Sequence, residues 1–230
     1  MTYPKNPDTI IIKNKYYPNG LKEIDIWNYY QKMKSKILTE TQNKIIALGI
    51  STDINKFVFR RKGKAGSIRL NSKNYDEIIS GRTVAIYSEM NRYEQIGIID
   101  IDITEYDGFQ WAKKAALDVY DFVMEKMQII KTATIIFTGK TSFHVICEFN
   151  KKMDIDTIRF LLKKFLLQSN LSSVYTVEQK RRSGVPNLDL SPNKLRGLHI
   201  TKNSLSILGL RCMEVPYLQI NNFNPTKAKI

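Results

Sequence analysis

The chain has 230 residues, with 36 Lys and Arg against 22 Asp and Glu, for a formal net charge of +14 at pH 7. Apolar residues make up 43% and aromatics 10%, enough to bury a core, which excludes wholesale disorder. No uncharged apolar run approaches the ~20 residues that span a bilayer, and residues 1–8 carry no apolar signal core, so the expectation is a soluble, cytoplasmic protein away from membranes. The length fits one large domain or two small lobes. Cys147 and Cys212 stand far apart, no C-x-x-C pair exists and there are only two histidines, so zinc is a poor fit. Both cysteines read as reduced core thiols. The positive excess points to a polyanionic partner, because a basic surface gains affinity by displacing counterions from phosphates. A composition rich in Lys, Ile and Asn gives the same excess without such a partner.

The first periodic element is a helix over residues 21–38, where Ile24, Trp27, Tyr30, Met33 and Ile37 recur at three- and four-residue steps. Pro18-Asn19-Gly20 before it reads as a turn. Short strands follow at 56–61 and 67–70, joined by the basic, glycine-containing turn Arg61-Lys62-Gly63-Lys64-Ala65-Gly66. Runs of β-branched residues predict strands at 82–87 and 95–103, and a helical pattern covers 109–127. Strands are expected at 132–137 and 143–149, then a helix capped by Asp154 or Asp156 and running through Leu166. Further strands fall at 174–178, 187–190 and 210–215. Strands mixed with crossover helices imply an α/β (α+β) fold around a mixed sheet, and no composition break marks a domain boundary.

Three constellations carry chemistry. In Ile98-Ile99-Asp100-Ile101-Asp102-Ile103, alternate residues of a strand share a face, so Asp100 and Asp102 project together while isoleucines pack behind. Adjacent carboxylates on an apolar strand repel one another and resist desolvation unless a cation lies between them. Mg²⁺ and Mn²⁺ want such oxygen ligands; two acids facing water at a strand end is the plain alternative. The second is Thr138-Gly139-Lys140-Thr141-Ser142-Phe143-His144. A P-loop reading fails, because Thr134 stands where the first glycine belongs and a strand rather than a helix follows. What remains is a small polar turn that can offer amides, hydroxyls and an imidazole to a phosphate, or simply a tight hairpin. The third, residues 180–193, places Lys180, Arg181 and Arg182 before Asp189, a phosphate clamp and a candidate third carboxylate, or a charged surface loop. Glu105-Tyr106-Asp107-Gly108 has a glutamate where a ligase-type adenylation motif needs its lysine, so no ligase activity is read here.

Taken in order, D-x-D, T-G-x-x-S-x-H, then Arg182-x-Gly184, Asp189 and Asn193 resemble the archaeo-eukaryotic primase superfamily. The likeness is strongest to the polymerase domain of prokaryotic end-joining ATP-dependent DNA ligases. Asn203-Ser204-Leu205-Ser206 falls at that family's Y-S-L-R, and Tyr17-Pro18 and Tyr29-Tyr30 bracket the first helix as its Y-P and Y-Y do. The likeness spans about residues 10–217. Departures are Ser142 for a glycine, Thr141 for a basic residue and Ser206 for an arginine, with Lys140, Arg196 and Lys202 nearby as substitute cations.

The resemblance implies a two-lobed primase-polymerase fold within one catalytic domain of residues 1–230, with lobes at about 1–90 and 91–230, the second RRM-like. It implies that Asp100, Asp102 and Asp189 hold two Mn²⁺ or Mg²⁺ ions. Thr138, Gly139, Lys140, Ser142, His144, Arg182, Asn193 and Ser204 would bind the nucleotide. Lys15 and Lys22 would meet a DNA 5′-phosphate, although Glu23 occupies the family's lysine position. The activity implied is template-dependent addition of NTPs or dNTPs to a 3′-hydroxyl on template-primer DNA, gapped or broken ends included. It would serve replication priming or end-joining repair beside replication or repair proteins. Two other classes remain open: a catalytically degenerate nucleic-acid-binding module, and a metal-dependent nuclease. The second lacks a recognisable general-base histidine or lysine beside the D-x-D.

Overall fold

The structure is a computed structural model that describes residues 3–63, 66–103, 108–178 and 185–230. The chain opens with β1 (Ile10–Asn14), β2 (Tyr17–Lys22) and α1 (Glu23–Glu40). Next come β3 (Ile46–Asp53), β4 (Lys56–Arg60), β5 (Lys62–Gly63), β6 (Gly66–Ser67), α2 (Tyr75–Ile78) and β7 (Thr83–Glu89). The middle holds β8 (Tyr93–Asp102), α3 (Gly108–Lys126), β9 (Ile130–Phe137), β10 (Phe143–Asp154), α4 (Ile155–Gln168), α5 (Leu171–Val174), β11 (Thr176–Val177) and β12 (Asn187–Asp189). Two short strands follow, β13 (Leu198–Ile200) and β14 (Met213–Glu214). Among the described residues, no helix is long and apolar enough to cross a membrane.

Two compact units result. One holds the residues up to Glu89 together with Leu198–Met213 and Asn224–Ile230; the other holds Met90–Gly197 and Glu214–Phe223. A division at residue 90 with everything beyond it in one lobe therefore differs from the structure after Gly197. There β13 pairs antiparallel with β7, His199 opposite Ser88, and carries the chain back to the first unit.

The first unit is a four-stranded antiparallel sheet in the order β13-β7-β3-β4, with a β1–β2 hairpin and α1. On α1 the buried residues are Glu23, Ile26, Tyr29, Tyr30 and Ile37, so the buried stripe is rotated from the predicted one. Tyrosines can lie in that stripe because their hydroxyls are satisfied: Tyr29 donates to the Asn203 carbonyl at 2.8 Å, and Tyr30 accepts from the Leu205 amide at 3.2 Å. Glu23 is tolerated through Arg82, whose Nε lies 3.2 Å from its carboxylate. The predicted turn at Pro18-Asn19-Gly20 lies inside β2, with Gly20 at φ +86° and packed on Ile10. Lys62 pairs with Ser67 and Gly63 with Gly66, as expected of the basic hairpin, whose tip at 64–65 lies outside the described residues.

The second unit is built as β-α-β-β-α-β, with sheet order β11-β12-β8-β10-β9-β14. Four central positions, β12-β8-β10-β9, reproduce the split βαβ arrangement of an RRM-like unit. Residues with alternate registers take opposite faces. Gly97, Ile99 and Ile101 of β8 align with Cys147, Val145 and Phe143 of β10 on one face. Helix α3 reaches that face through Phe109, which stacks on Phe143 with centroids 5.6 Å apart, and α4 reaches it through Ile158 and Leu162 over Gly97. The other face carries Ile98, Asp100, Asp102 and His144. Asp154 caps α4, accepting from the Asp156 amide at 2.9 Å. Both cysteines are buried and unpaired, and burial pushes the Cys147 thiol up to about 12.

A Cβ at Gly97 would come within 3.0 Å of Ile158, Leu162 and Phe149. Gly97→Val is expected to lift α4 from β8 and cost about 1–3 kcal/mol of stability, measured by urea unfolding; an unchanged midpoint would mean that α4 does not seat there.

Candidate metal centre

Sheet register assembles the site. β12 runs antiparallel to β8, with Asp189 opposite Asp100 and Asn187 opposite Asp102. β10 flanks β8 on the other side, with His144 opposite Asp100. Residues directly opposite share a sheet face, so Asp189, Asp100 and His144 form a row across three strands, and Asp102 stands one strand repeat along. One oxygen from each of Asp100, Asp102 and Asp189 lies within 4.8 Å of the others, and all three side chains are partly buried.

Packing three carboxylates this closely in a partly buried site is unfavourable without a counter-charge. Asp100 Oδ1 is buried and has no hydrogen-bond partner. His144, only 5% exposed, brings Nε2 to 3.4 Å from that oxygen, and its own Nδ1 is likewise unpartnered. Asp189 is held differently: its Oδ1 accepts from the Ser191 amide at 2.8 Å and its Oδ2 from the Ser191 hydroxyl at 2.7 Å. An all-oxygen donor set with an orphaned buried oxygen fits a hard divalent cation such as Mg²⁺ or Mn²⁺.

The turn between β9 and β10 closes tightly. The Thr138 amide donates to the Ser142 carbonyl at 3.1 Å, and the two hydroxyls lie 2.8 Å apart. Gly139 takes φ +78°, a left-handed conformation that suits glycine. Lys140 is exposed at the tip.

No protein-family model matches the chain, and no curated protein matches it. Among solved structures, the polymerase domain of Mycobacterium tuberculosis Ligase D, determined in complex with DNA, aligns with a TM-score of 0.79 at 12% identity. The alignment covers 98% of this chain and 89% of that one. The fold is similar to that of this polymerase domain.

Within this fold the predicted site residues separate. Asp100, Asp102, Asp189 and His144 come together, and Thr138, Gly139, Lys140 and Ser142 form the β9–β10 turn in the same unit. Arg182 lies outside the described residues. Asn193 is fully buried: its side chain accepts from the Ile98 amide at 2.7 Å and donates to the carbonyls of Ile98 and Leu190. That uses its whole amide, so it supports β8 rather than facing a nucleotide. Ser204 is equally spent in the first unit, accepting from the Ile86 amide at 2.7 Å and donating to the Leu205 carbonyl at 2.8 Å. Lys15 and Lys22 also belong to the first unit; Lys22 pairs with Asp8 at 2.8 Å and Lys15 lies over the Tyr16 ring. The expectation that no histidine stands beside the D-x-D is corrected, because strand pairing brings His144 there from 42 residues away, a separation that motif reading does not register. Ser191 was not singled out, although its spacing two residues after Asp189 is an Asx-turn signature.

Asn193→Ala removes both partners of the Ile98 peptide group from a buried position. It is expected to lower folding stability by about 2–4 kcal/mol, read by chemical denaturation. Stability within 0.5 kcal/mol of the unsubstituted protein, a margin typical of ~0.5 kcal/mol surface changes, would contradict the supporting role.

Proposed function

We propose that the chain is a template-dependent nucleotidyltransferase of the primase-polymerase class, adding NTPs or dNTPs to a 3′-hydroxyl. The observation that carries this reading is the row of Asp189, Asp100 and His144, with Asp102 beside it, on a fold shared with a polymerase domain. Asp100, Asp102 and Asp189 would hold two divalent ions, Mn²⁺ or Mg²⁺. When bound, such ions lower the pKa of the primer hydroxyl and neutralise the triphosphate and the departing pyrophosphate.

The chain's own groups supply the rest. His144 and the Thr138–Ser142 turn offer an imidazole, two hydroxyls and backbone amides to the β- and γ-phosphates. Lys140 and Arg182 would add positive charge. The net charge of +14 would hold template and primer backbones without reading sequence, since base pairing selects the nucleotide. The setting is intracellular, in replication priming or in gap filling during end joining, with replication or repair proteins as partners.

One observation favours a second reading. His144 beside Asp100 gives a metal-dependent nuclease the nearby base that the sequence alone did not show. Products separate the two: a polymerase releases pyrophosphate and lengthens the primer, whereas a nuclease shortens it. A degenerate binding module would do neither.

The test is extension of a labelled primed template with Mn²⁺, with dNTPs and NTPs in separate arms and gapped and unprimed substrates alongside. Asp102→Ala is expected to lose about 10³-fold or more of the extension rate, since metal stabilisation of the transition state is worth several kcal/mol. His144→Ala is expected to raise the nucleotide KM about 10-fold or more, the value of a charge-assisted hydrogen bond. No extension by the folded, DNA-binding protein, or primer shortening instead, would overturn the reading.

A further inference from the structure

Residues 189–193 do two jobs within five positions. Asp189 supplies a carboxylate to the cluster, and Ser191 grips both of its oxygens, through its amide at 2.8 Å and its hydroxyl at 2.7 Å. Asn193 grips the Ile98 peptide on β8, accepting from its amide and donating to its carbonyl. Ile98 lies two residues before Asp100, one strand repeat beyond the last β12 pair, so the Asn193 amide takes the place of a further strand partner. Asn193 is itself fixed, its backbone amide donating to Leu190 at 2.9 Å.

We infer that Ser191 is a positioning residue for the metal centre: its hydroxyl holds the Asp189 carboxylate facing Asp100 and Asp102 before any ion arrives. This rests on the metal-centre reading above. Three carboxylates within 4.8 Å repel, and the one contributed by the short β12 strand would otherwise rotate outward. Two hydrogen bonds from Ser191 fix the Asp189 rotamer, and each oxygen keeps a lone pair for a cation. The cluster is aimed at a ligand independently of these bonds, because the buried His144 imidazole points at Asp100 Oδ1, and that oxygen has no hydrogen-bond partner. Outer groups that orient metal ligands carry a large share of affinity.

The experiment measures Mn²⁺ affinity by titration calorimetry and by loss of the free-Mn²⁺ electron paramagnetic signal, beside thermal melting without metal. Ser191→Ala keeps the backbone amide and loses the hydroxyl. It is expected to weaken Mn²⁺ binding about 10–100-fold while the metal-free melting temperature stays put. Ser191→Thr, which restores a hydroxyl, is expected to recover most of the affinity, and Ser191→Cys, a weaker donor, to fall between. Undiminished Mn²⁺ affinity in Ser191→Ala overturns the inference. So does a matching fall in metal-free melting that threonine does not rescue, since that marks a merely structural serine. If the unsubstituted protein itself binds no Mn²⁺, or Asp102→Ala binds it equally well, the metal-centre reading fails and not this step alone.

Discussion

The arrangement depends on one constraint: β12 must pair with β8 in the register that sets Asp189 opposite Asp100. A slip of one residue would turn Asp189 to the helix-covered face and leave Asp100 and Asp102 without a third acid. The pairing brings together charges that repel, so something other than the acids must hold it. Leu188, on the opposite face, is fully buried, and β11 pairs with β12 in parallel as a further strand. The Asn193 amide extends the hold along β8 past the end of β12.

The apolar face of the sheet does the remaining work. Phe109, Phe137, Phe143 and Phe223 form one aromatic cluster, with Phe137 and Phe223 centroids 5.0 Å apart. Lys113 of α3, almost wholly buried, donates to the Asn221 carbonyl at 2.7 Å and so ties the 214–223 segment to this unit. Burial of its amine lowers its pKa from the ordinary lysine value. Gly97 lets α4 sit close on β8. The acids thus occupy one face of a sheet whose other face is packed by α3 and α4, which fits a site that must hold ligands in fixed positions.

Much of this was legible in the sequence, and the reasons differ by element. The D-x-D strand shows because β-branched neighbours fix the period at two, which settles which residues share a face. Helices α3 and α4 show through their apolar periodicity, and the Asp154 cap through its residue type. The β1–β2 hairpin, β3 and β13 did not show. β2 contains proline and glycine, read as turn residues, and β13 is three residues long. Buried tyrosines on α1 shifted the stripe, because a hydroxyl's partner cannot be known before the fold. Motif position assigns Asn193 and Ser204 to a nucleotide, yet each side chain holds a backbone group distant in sequence, Ile98 for Asn193 and the Ile86 amide for Ser204. The pairing of His144 with Asp100 follows only from the register of β10 on β8, which no local pattern encodes.

The central claim is that Asp100, Asp102 and Asp189 are one divalent-metal centre. Anomalous X-ray scattering from crystals soaked in Mn²⁺ tests it most directly. The account predicts peaks bracketed by these three carboxylates, lost from crystals of Asp100→Asn. Well-ordered carboxylates with no anomalous density between them at millimolar Mn²⁺ would contradict it.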